Sequence, residues 1–298
     1  MSESIFQPGQ EIENFVIERQ IGRGGMSELF LAKDAALKRR VVIKVLNPRY
    51  SDIDRFKKHF LQEARIQANL DNPHIVQILS MMEHHDHFCL VMQHVDGTDL
   101  NRVIEKAKSV RQKRGEKGAL SLERAIHIFL QMLEGIGFVH KYRIIHGDVK
   151  PANILLDEQG RVKVADFGLS FLLPQERSDT EEILPGGTPY YMSPEQMLHE
   201  EIDIRSDIYS LGVTLFYMLT GIIPLEDKKK LTQILEVHLD GAMDIPRKIF
   251  DEFDLIPSGT KNAILKALEK DPDKRHQSCL EFSLAIREEA PVEMYSEL

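Results

Sequence analysis

Three oxygen-bearing side chains fall within one short stretch, HGDVKPANILLDEQGRVKVADFGLSF over residues 146–171. Asp148 is followed by Asn153, and a second carboxylate, Asp166, stands in an Asp-Phe-Gly triplet after an alternating apolar run. A carboxylate held in a loop can accept the proton of a substrate hydroxyl, and Lys150 beside it can neutralise a phosphate. An amide and a second carboxylate are hard oxygen ligands of the kind Mg2+ takes. These are the parts that phosphoryl transfer from ATP requires, because that chemistry is mostly positioning and charge neutralisation. Each part alone is weak evidence; the order and spacing carry the argument.

Two upstream features extend it. Gly22-Arg23-Gly24-Gly25-Met26-Ser27 joins two alternating stretches. A glycine turn between strands can lay backbone N–H groups over phosphates with no Cβ in the way. The dinucleotide-binding fingerprint opens a helix instead, so that reading is set aside. Lys44 ends the apolar run Val-Val-Ile-Lys, where a lysine must snorkel or find partners.

The elements that must position these groups follow from periodicity. Phe15–Ile21, Glu28–Lys33 and Arg40–Leu46 read as strands. Ile53 to Leu70 reads as a helix through Phe56, Phe60, Ala64, Ile66 and Leu70, stopped by Asn72-Pro73. Ile75–Met82 and Phe88–Gln93 read as a hairpin around His-His-Asp-His. Beyond Gly97 the pattern turns helical, most strongly over Leu122–Tyr142 and Ile208–Thr220, then over Leu231–Leu239, Lys261–Glu269 and Leu280–Glu289. The basic stretch Lys106–Lys117 reads as a solvated insertion between helices. Ile208 to Leu225 is uncharged, but its Ser, Thr, Gly and Pro residues fit a buried central helix better than a membrane span.

Composition bounds the rest. The chain has 298 residues, 42% hydrophobic and 29% charged, which is ordinary for a globular protein. A net charge of −9 argues against general nucleic-acid binding. The two cysteines, Cys89 and Cys279, form no CxxC pair, and the N-terminus lacks a signal-peptide pattern, so a reducing cytoplasm is expected, with no membrane segment. Adjacent histidines at a hairpin tip do not converge on one ion, so no metal site is assigned to His84, His85 and His87.

From about Phe15 to Ile286 the sequence resembles the eukaryotic-type (Hanks-type) serine/threonine protein kinases, in their bacterial branch. The resemblance rests on the glycine turn, Val-Val-Ile-Lys, His-Gly-Asp with Asn153, Asp-Phe-Gly, Gly-Gly-Thr-Pro-Tyr-Tyr-Met-Ser-Pro-Glu at 186–195, Arg-Ser-Asp at 205–207 and Arg275. It implies an α+β bilobal fold, with an extension at 1–14, a small β-rich lobe at 15–95, a helical lobe at 96–289 and a tail at 290–298. It implies Mg2+-dependent transfer from ATP to Ser or Thr of protein substrates, with the chain itself a candidate acceptor at Ser178, Thr180 or Thr188. Asp148 would take the hydroxyl proton and Lys150 would face the γ-phosphate. Lys44, paired with Glu63, would hold the α- and β-phosphates, and Asn153 and Asp166 the metal. Gly22, Gly24, Gly25 and Ser27 would cover the phosphates. Ile21, Leu29 and Val42 would lie above the adenine and Leu155 below it, with Met92, Gln93 and Val95 along its edge. By the same resemblance Asp207 braces the catalytic loop and Arg275 pairs with Glu195.

Four residues depart from the family pattern: Ser27 for a glycine, Val42 and Ser193 each for an alanine, and Gly147 for the arginine of His-Arg-Asp. That arginine usually receives a phosphate on the activation segment, so its loss puts activation by loop phosphorylation in question. A pseudokinase scaffold and a small-molecule alcohol kinase stay open as alternatives.

Overall fold

The alternation of side chains along extended backbone decides the first third of the structure. The computed structural model describes residues 4–24, 27–47, 64, 67–85, 87–166, 188–225, 233–234, 236 and 244–289. The chain divides into two compact units, Met1–Asp96 and Gly97–Leu298. The first carries a six-stranded antiparallel sheet of β1 (Glu11–Ile12), β2 (Phe15–Arg23), β3 (Ser27–Asp34), β4 (Arg40–Leu46), β5 (Ile78–His84) and β6 (His87–Gln93). Their order is β1-β2-β3-β4-β6-β5.

Neighbouring residues of a strand face opposite sides of a sheet, so the register sorts this sequence into two faces. Phe30, Ala32, Val41, Ile43, Val45, Cys89 and Val91 form a core with Phe6, Ile12, Ile17 and Met82. Each large side chain buried there contributes about 1.5–3 kcal/mol. Leu29 pairs with Lys44, which pairs with Leu90, and Leu31 pairs with Val42, which pairs with Met92; these residues share the other face.

Residues ahead of Phe15, read from sequence as an extension, also enter this core. The Phe6 ring lies 5.3 Å from Phe30, and β1 pairs with β2. Buried Glu28 accepts hydrogen bonds from the Ile5 amide (3.2 Å), the Ser4 hydroxyl (3.3 Å) and Gln20 Nε2 (2.9 Å), and it pairs with Arg23 at 3.0 Å. Isolated apolar residues such as Phe6 and Ile12 have no period, so this packing has no signature in sequence.

The second unit contains a small sheet, β7 (Gly97–Asp99), β8 (Ile154–Asp157) and β9 (Val162–Val164). Its helices are α1 (Leu100–Lys113), α2 (Leu122–Lys141), α3 (Pro194–Met197), α4 (Ile204–Thr220), α5 (Asp244–Phe250), α6 (Ser258–Ala267) and α7 (Cys279–Glu289). Helix α4 is buried at every position from Ser206 to Thr220, as expected of a helix apolar on all sides. Among the described residues no helix is long and apolar enough to cross a membrane.

Helix α1 occupies most of the stretch read as a solvated insertion. Asp99 caps it by accepting the Arg102 amide at 2.9 Å, Leu100 and Ile104 are buried, and Arg111 and Lys113 sit in the last turn where the helix dipole favours cations. The basic residues decorate the exposed side of a capped helix. The helix expected near Ile53–Leu70 and the one near Leu231–Leu239 lie largely outside the described residues.

Candidate active site

The loop between α2 and β8 holds its shape through a buried carboxylate on α4. Asp207, fully buried, accepts the backbone amides of His146 (Oδ2) and Gly147 (Oδ1), both at 2.8 Å. Its Oδ2 also lies 2.8 Å from His140 Nε2 on α2. Burial pushes the Asp207 carboxyl up, but the His140 hydrogen bond and charge, His146 and the Gly147 amide together hold it below the usual range. The loop is therefore tied to the most buried helix of the unit through an anion.

Gly147 turns left-handed between two anchors, with φ of +77°. Its amide is held by Asp207, and its carbonyl accepts Gln196 Nε2 at 2.9 Å. A Cβ is strained in that conformation, which suits the glycine that stands there. Gln196 is fixed in turn, because its Oε1 accepts the Ser193 amide at 3.0 Å and the Ser193 hydroxyl at 3.1 Å.

His146, also fully buried, links the loop to Ala165, the residue after β9. Its Nδ1 accepts the Asp148 amide at 3.2 Å, so Nε2 carries the proton and donates to the Ala165 carbonyl at 3.0 Å. Burial lowers its pKa, against the charges of Asp207 and Asp148, so the ring is held neutral. The Ala165 amide donates to the Asn153 carbonyl at 2.9 Å, and Asp166 follows with φ of +59°.

The Asp148 carboxylate is asymmetric. Oδ2 accepts Lys150 Nζ at 2.7 Å and Asn153 Nδ2 at 3.0 Å. Oδ1 is buried with no hydrogen-bond partner among the described residues. Asn153 Nδ2 also donates to the Asp148 carbonyl at 2.8 Å, which commits the amide nitrogen and leaves its oxygen as the free end. Asp148, Lys150 and Asn153 thus form one cluster, as their spacing predicts. No group of three or more His, Cys, Asp or Glu among the described residues could hold a metal. An ion that takes one amide oxygen, one carboxylate and phosphate oxygens would find its protein donors in Asn153 and Asp166.

In the first unit, Leu29, Val42, Lys44 and Met92 share the sheet face opposite the core, and Gly22 pairs with Leu29 across β2 and β3. Lys44 is only 6% exposed. Ile21 is exposed on β2, and the Gly24 amide donates to the Ser27 carbonyl at 2.8 Å. The Gln93 amide is spent on the Gln77 carbonyl at 2.9 Å, whereas Val95 makes no backbone–backbone hydrogen bond among the described residues. In the second unit, Leu155 is half-buried on β8, between the buried Ile154 and Leu156. Gly25, Glu63, Ser178 and Thr180 lie outside the described residues, and Thr188 opens a short 3-10 turn, Thr188–Tyr191.

The pairing of Glu195 with Arg275 is present and fully buried on the arginine side. Arg275 Nη1 and Nη2 donate to Glu195 Oε1 and Oε2 at 2.7 and 2.8 Å, and the Ser206 hydroxyl donates to Oε1 at 2.6 Å. The sequence reading missed three supporting residues: His140, Gln196 and Ser206. Only Gln196 had a local signal, the Ser-x-x-Gln capping pattern that begins at Ser193.

A family model described as protein kinase domain matches residues 15–282. The serine/threonine-protein kinase PrkC of Bacillus subtilis is 34% identical over 274 residues, covering 92% of this chain and 40% of that protein. A probable serine/threonine-protein kinase of Clostridium perfringens, CPE1738, is 35% identical over 263 residues, covering 88% of this chain and 36% of that protein. PknF of Mycobacterium tuberculosis is 33% identical over 283 residues, covering 93% and 56%. The chain therefore spans between about a third and just over half of these relatives. Among solved structures, the PknI kinase domain of Mycobacterium tuberculosis superposes with a TM-score of 0.66 at 24% identity, over 96% of this chain and 100% of that one. The chain belongs to the protein kinase domain family, in its bacterial serine/threonine branch.

Proposed function

We propose that this chain is a cytoplasmic, Mg2+-dependent kinase that transfers the γ-phosphate of ATP to serine or threonine hydroxyls of protein substrates. The observation that carries this reading is the asymmetric Asp148 carboxylate, with Oδ2 tied to Lys150 and Asn153 and Oδ1 buried without a partner among the described residues. A substrate hydroxyl gives its proton to the Asp148 carboxylate as its oxygen bonds to the γ-phosphorus. The bond from that phosphorus to the bridging oxygen breaks, and ADP leaves with the electron pair. Lys150 neutralises the charge on the transferred group. Asn153 and Asp166 hold Mg2+, which supplies charge neutralisation on the phosphates. On this reading Lys44 would pair with Glu63 and orient the α- and β-phosphates, which Gly22, Gly24, Gly25 and Ser27 would cover. On this reading Ile21, Leu29, Val42, Met92, Leu155 and the backbone of Val95 would contact adenine.

Gly147 offers no cation to a phosphorylated activation segment, so activity on this reading does not require phosphate at Ser178 or Thr180. The test is transfer of labelled γ-phosphate with Mg2+, to the protein itself and to a generic basic protein, with Asp166→Asn alongside. Label on serine or threonine that disappears in the variant and on chelation supports the reading, and mapping reports whether Ser178, Thr180 or Thr188 is modified. Absence of label in the folded wild type, over several protein acceptors, would sink it.

A further inference from the structure

A basic groove in the second unit is built too firmly to be a casual surface. It is a cavity of about 720 Å³, within the usual size of ligand sites. Val103, Ala107 and Val110 recur at helical spacing on one face of α1 and form its apolar side. Ala119 and Leu120, 2% and 4% exposed, form the other. That second wall is pinned to the end of α4, because the Ala119 and Leu120 amides donate to the Leu219 and Met218 carbonyls at 3.1 and 2.9 Å. Gly118 makes the approach possible: φ is +88°, and a Cβ there would lie 2.7 Å from the Leu219 carbonyl oxygen. Arg111 closes the turn by donating from Nη1 to the Lys117 carbonyl at 3.0 Å.

The charge of this groove runs against that of the chain. Arg102, Lys106, Arg111, Arg114 and Arg124 line it with one carboxylate, Glu116, in a molecule of net charge −9. Glu116 is taken up by Arg111 at 3.6 Å. Lys106, Arg114 and Arg124 form no ion pair among the described residues, and all three are exposed. Unneutralised cations around an apolar floor attract carboxylates and at the same time reward aliphatic side chains between them. From Arg102 to Arg114 the helix rises about 18 Å, the span of about five extended residues.

Resting on the protein-kinase reading, we propose that this groove docks an extended acidic segment of a protein substrate, with Asp or Glu interleaved with Leu, Ile or Val. Its function is to hold the substrate to the enzyme through residues that take no part in the chemistry.

The test uses the whole chain and a fluorescein-labelled peptide alternating Glu with Leu, read by anisotropy without ATP. A peptide alternating Glu with Gly is the control for charge alone. Charge reversal at Arg102→Glu, Lys106→Glu and Arg114→Glu is the groove variant, with its melting temperature checked, and Val103→Ser with Val110→Ser is a second variant that keeps the charges. The Glu-Leu peptide should bind, and should weaken at least about tenfold in either variant and for the Glu-Gly control. Joining it to a serine acceptor should lower KM in the wild type and not in the variants, while the untethered acceptor is turned over alike by all. No binding at about 1 mM peptide, equal binding of the Glu-Gly control, indifference to the substitutions, or tighter binding of duplex DNA would each overturn the proposal. Binding with no phosphotransfer at all would instead refute the kinase reading and leave an acidic-peptide site in place.

Discussion

The two oxygens of Asp148 differ in their partners, and the difference sets what a substitution there should do. Oδ2 is a structural acceptor for Lys150 and Asn153, while Oδ1 has no hydrogen-bond partner among the described residues. Asp148→Asn keeps the volume and removes the acceptor, so kcat should fall by about 10²–10⁴ with the KM for ATP and the melting temperature nearly unchanged. Steady-state kinetics with a thermal melt would check this, and a loss confined to KM would assign the side chain to substrate binding instead. One residue earlier the expectation reverses. Gly147→Ala forces a Cβ into a conformation with φ of +77° while both of its peptide hydrogen bonds must be kept. It should lower stability by about 1–2 kcal/mol, seen as a shift of the denaturant midpoint at constant slope.

At the scale of elements, the second unit is organised by helix α4. Its first turn carries Asp207 to the loop that bears Asp148 and Ser206 to Glu195, which Arg275 clamps from the segment before α7. Arg275 is fully buried and also donates to the Glu269, Arg205 and Lys270 carbonyls. Arg275→Met leaves the Glu195 carboxylate buried with only hydroxyl and backbone partners, a loss of about 3–5 kcal/mol measurable by denaturant unfolding. Asp148 chemistry should survive in the folded fraction. Much of this scaffold was legible in sequence. Strand β2 and the start of β3 alternate, β4 and β6 run apolar because both of their faces are covered, and α2 and α4 announce themselves by length and apolar content. Helix α1 was not, although the Asp99 cap and the stripe Leu100, Val103, Ile104, Ala107 were present. Its many lysines and arginines made a helix face look like a loop, because a residue's polarity reports exposure and not backbone state. The Asp148, Lys150 and Asn153 cluster could be read from a five-residue spacing, whereas His140 reaches Asp207 across 67 positions and no local pattern encodes that contact.

Over the whole molecule, the buried titratable groups give stability a two-step dependence on acid. His146 and His276 are both held below their ordinary pKa of 6.5, chiefly by burial. The carboxylates of Asp207 and Asp148 oppose this at His146, as do the Ala263 carbonyl and Glu281 at His276. Between the lowered folded value and 6.5 the unfolded chain binds more protons than the folded one, so stability rises with pH there. Their contribution is complete above pH 6.5 and is lost as pH falls through that value. Asp207 and Glu195 are depressed below ordinary values of 3.8 and 4.5, so their contribution persists above those values and fails only beneath them. The guanidinium midpoint should therefore fall between pH 7.5 and pH 5.5, well before carboxylates titrate, and fall again below about pH 4.5. His276→Gln should flatten the first step, because its ring packs on Phe282 and keeps one Nε2 contact to the Ala263 carbonyl, away from the loop that bears Asp148. A wild-type midpoint that stays level from pH 7.5 to pH 5.5 would mean that the fold does not hold these rings neutral, and the tautomer assigned to His146 would lose its basis.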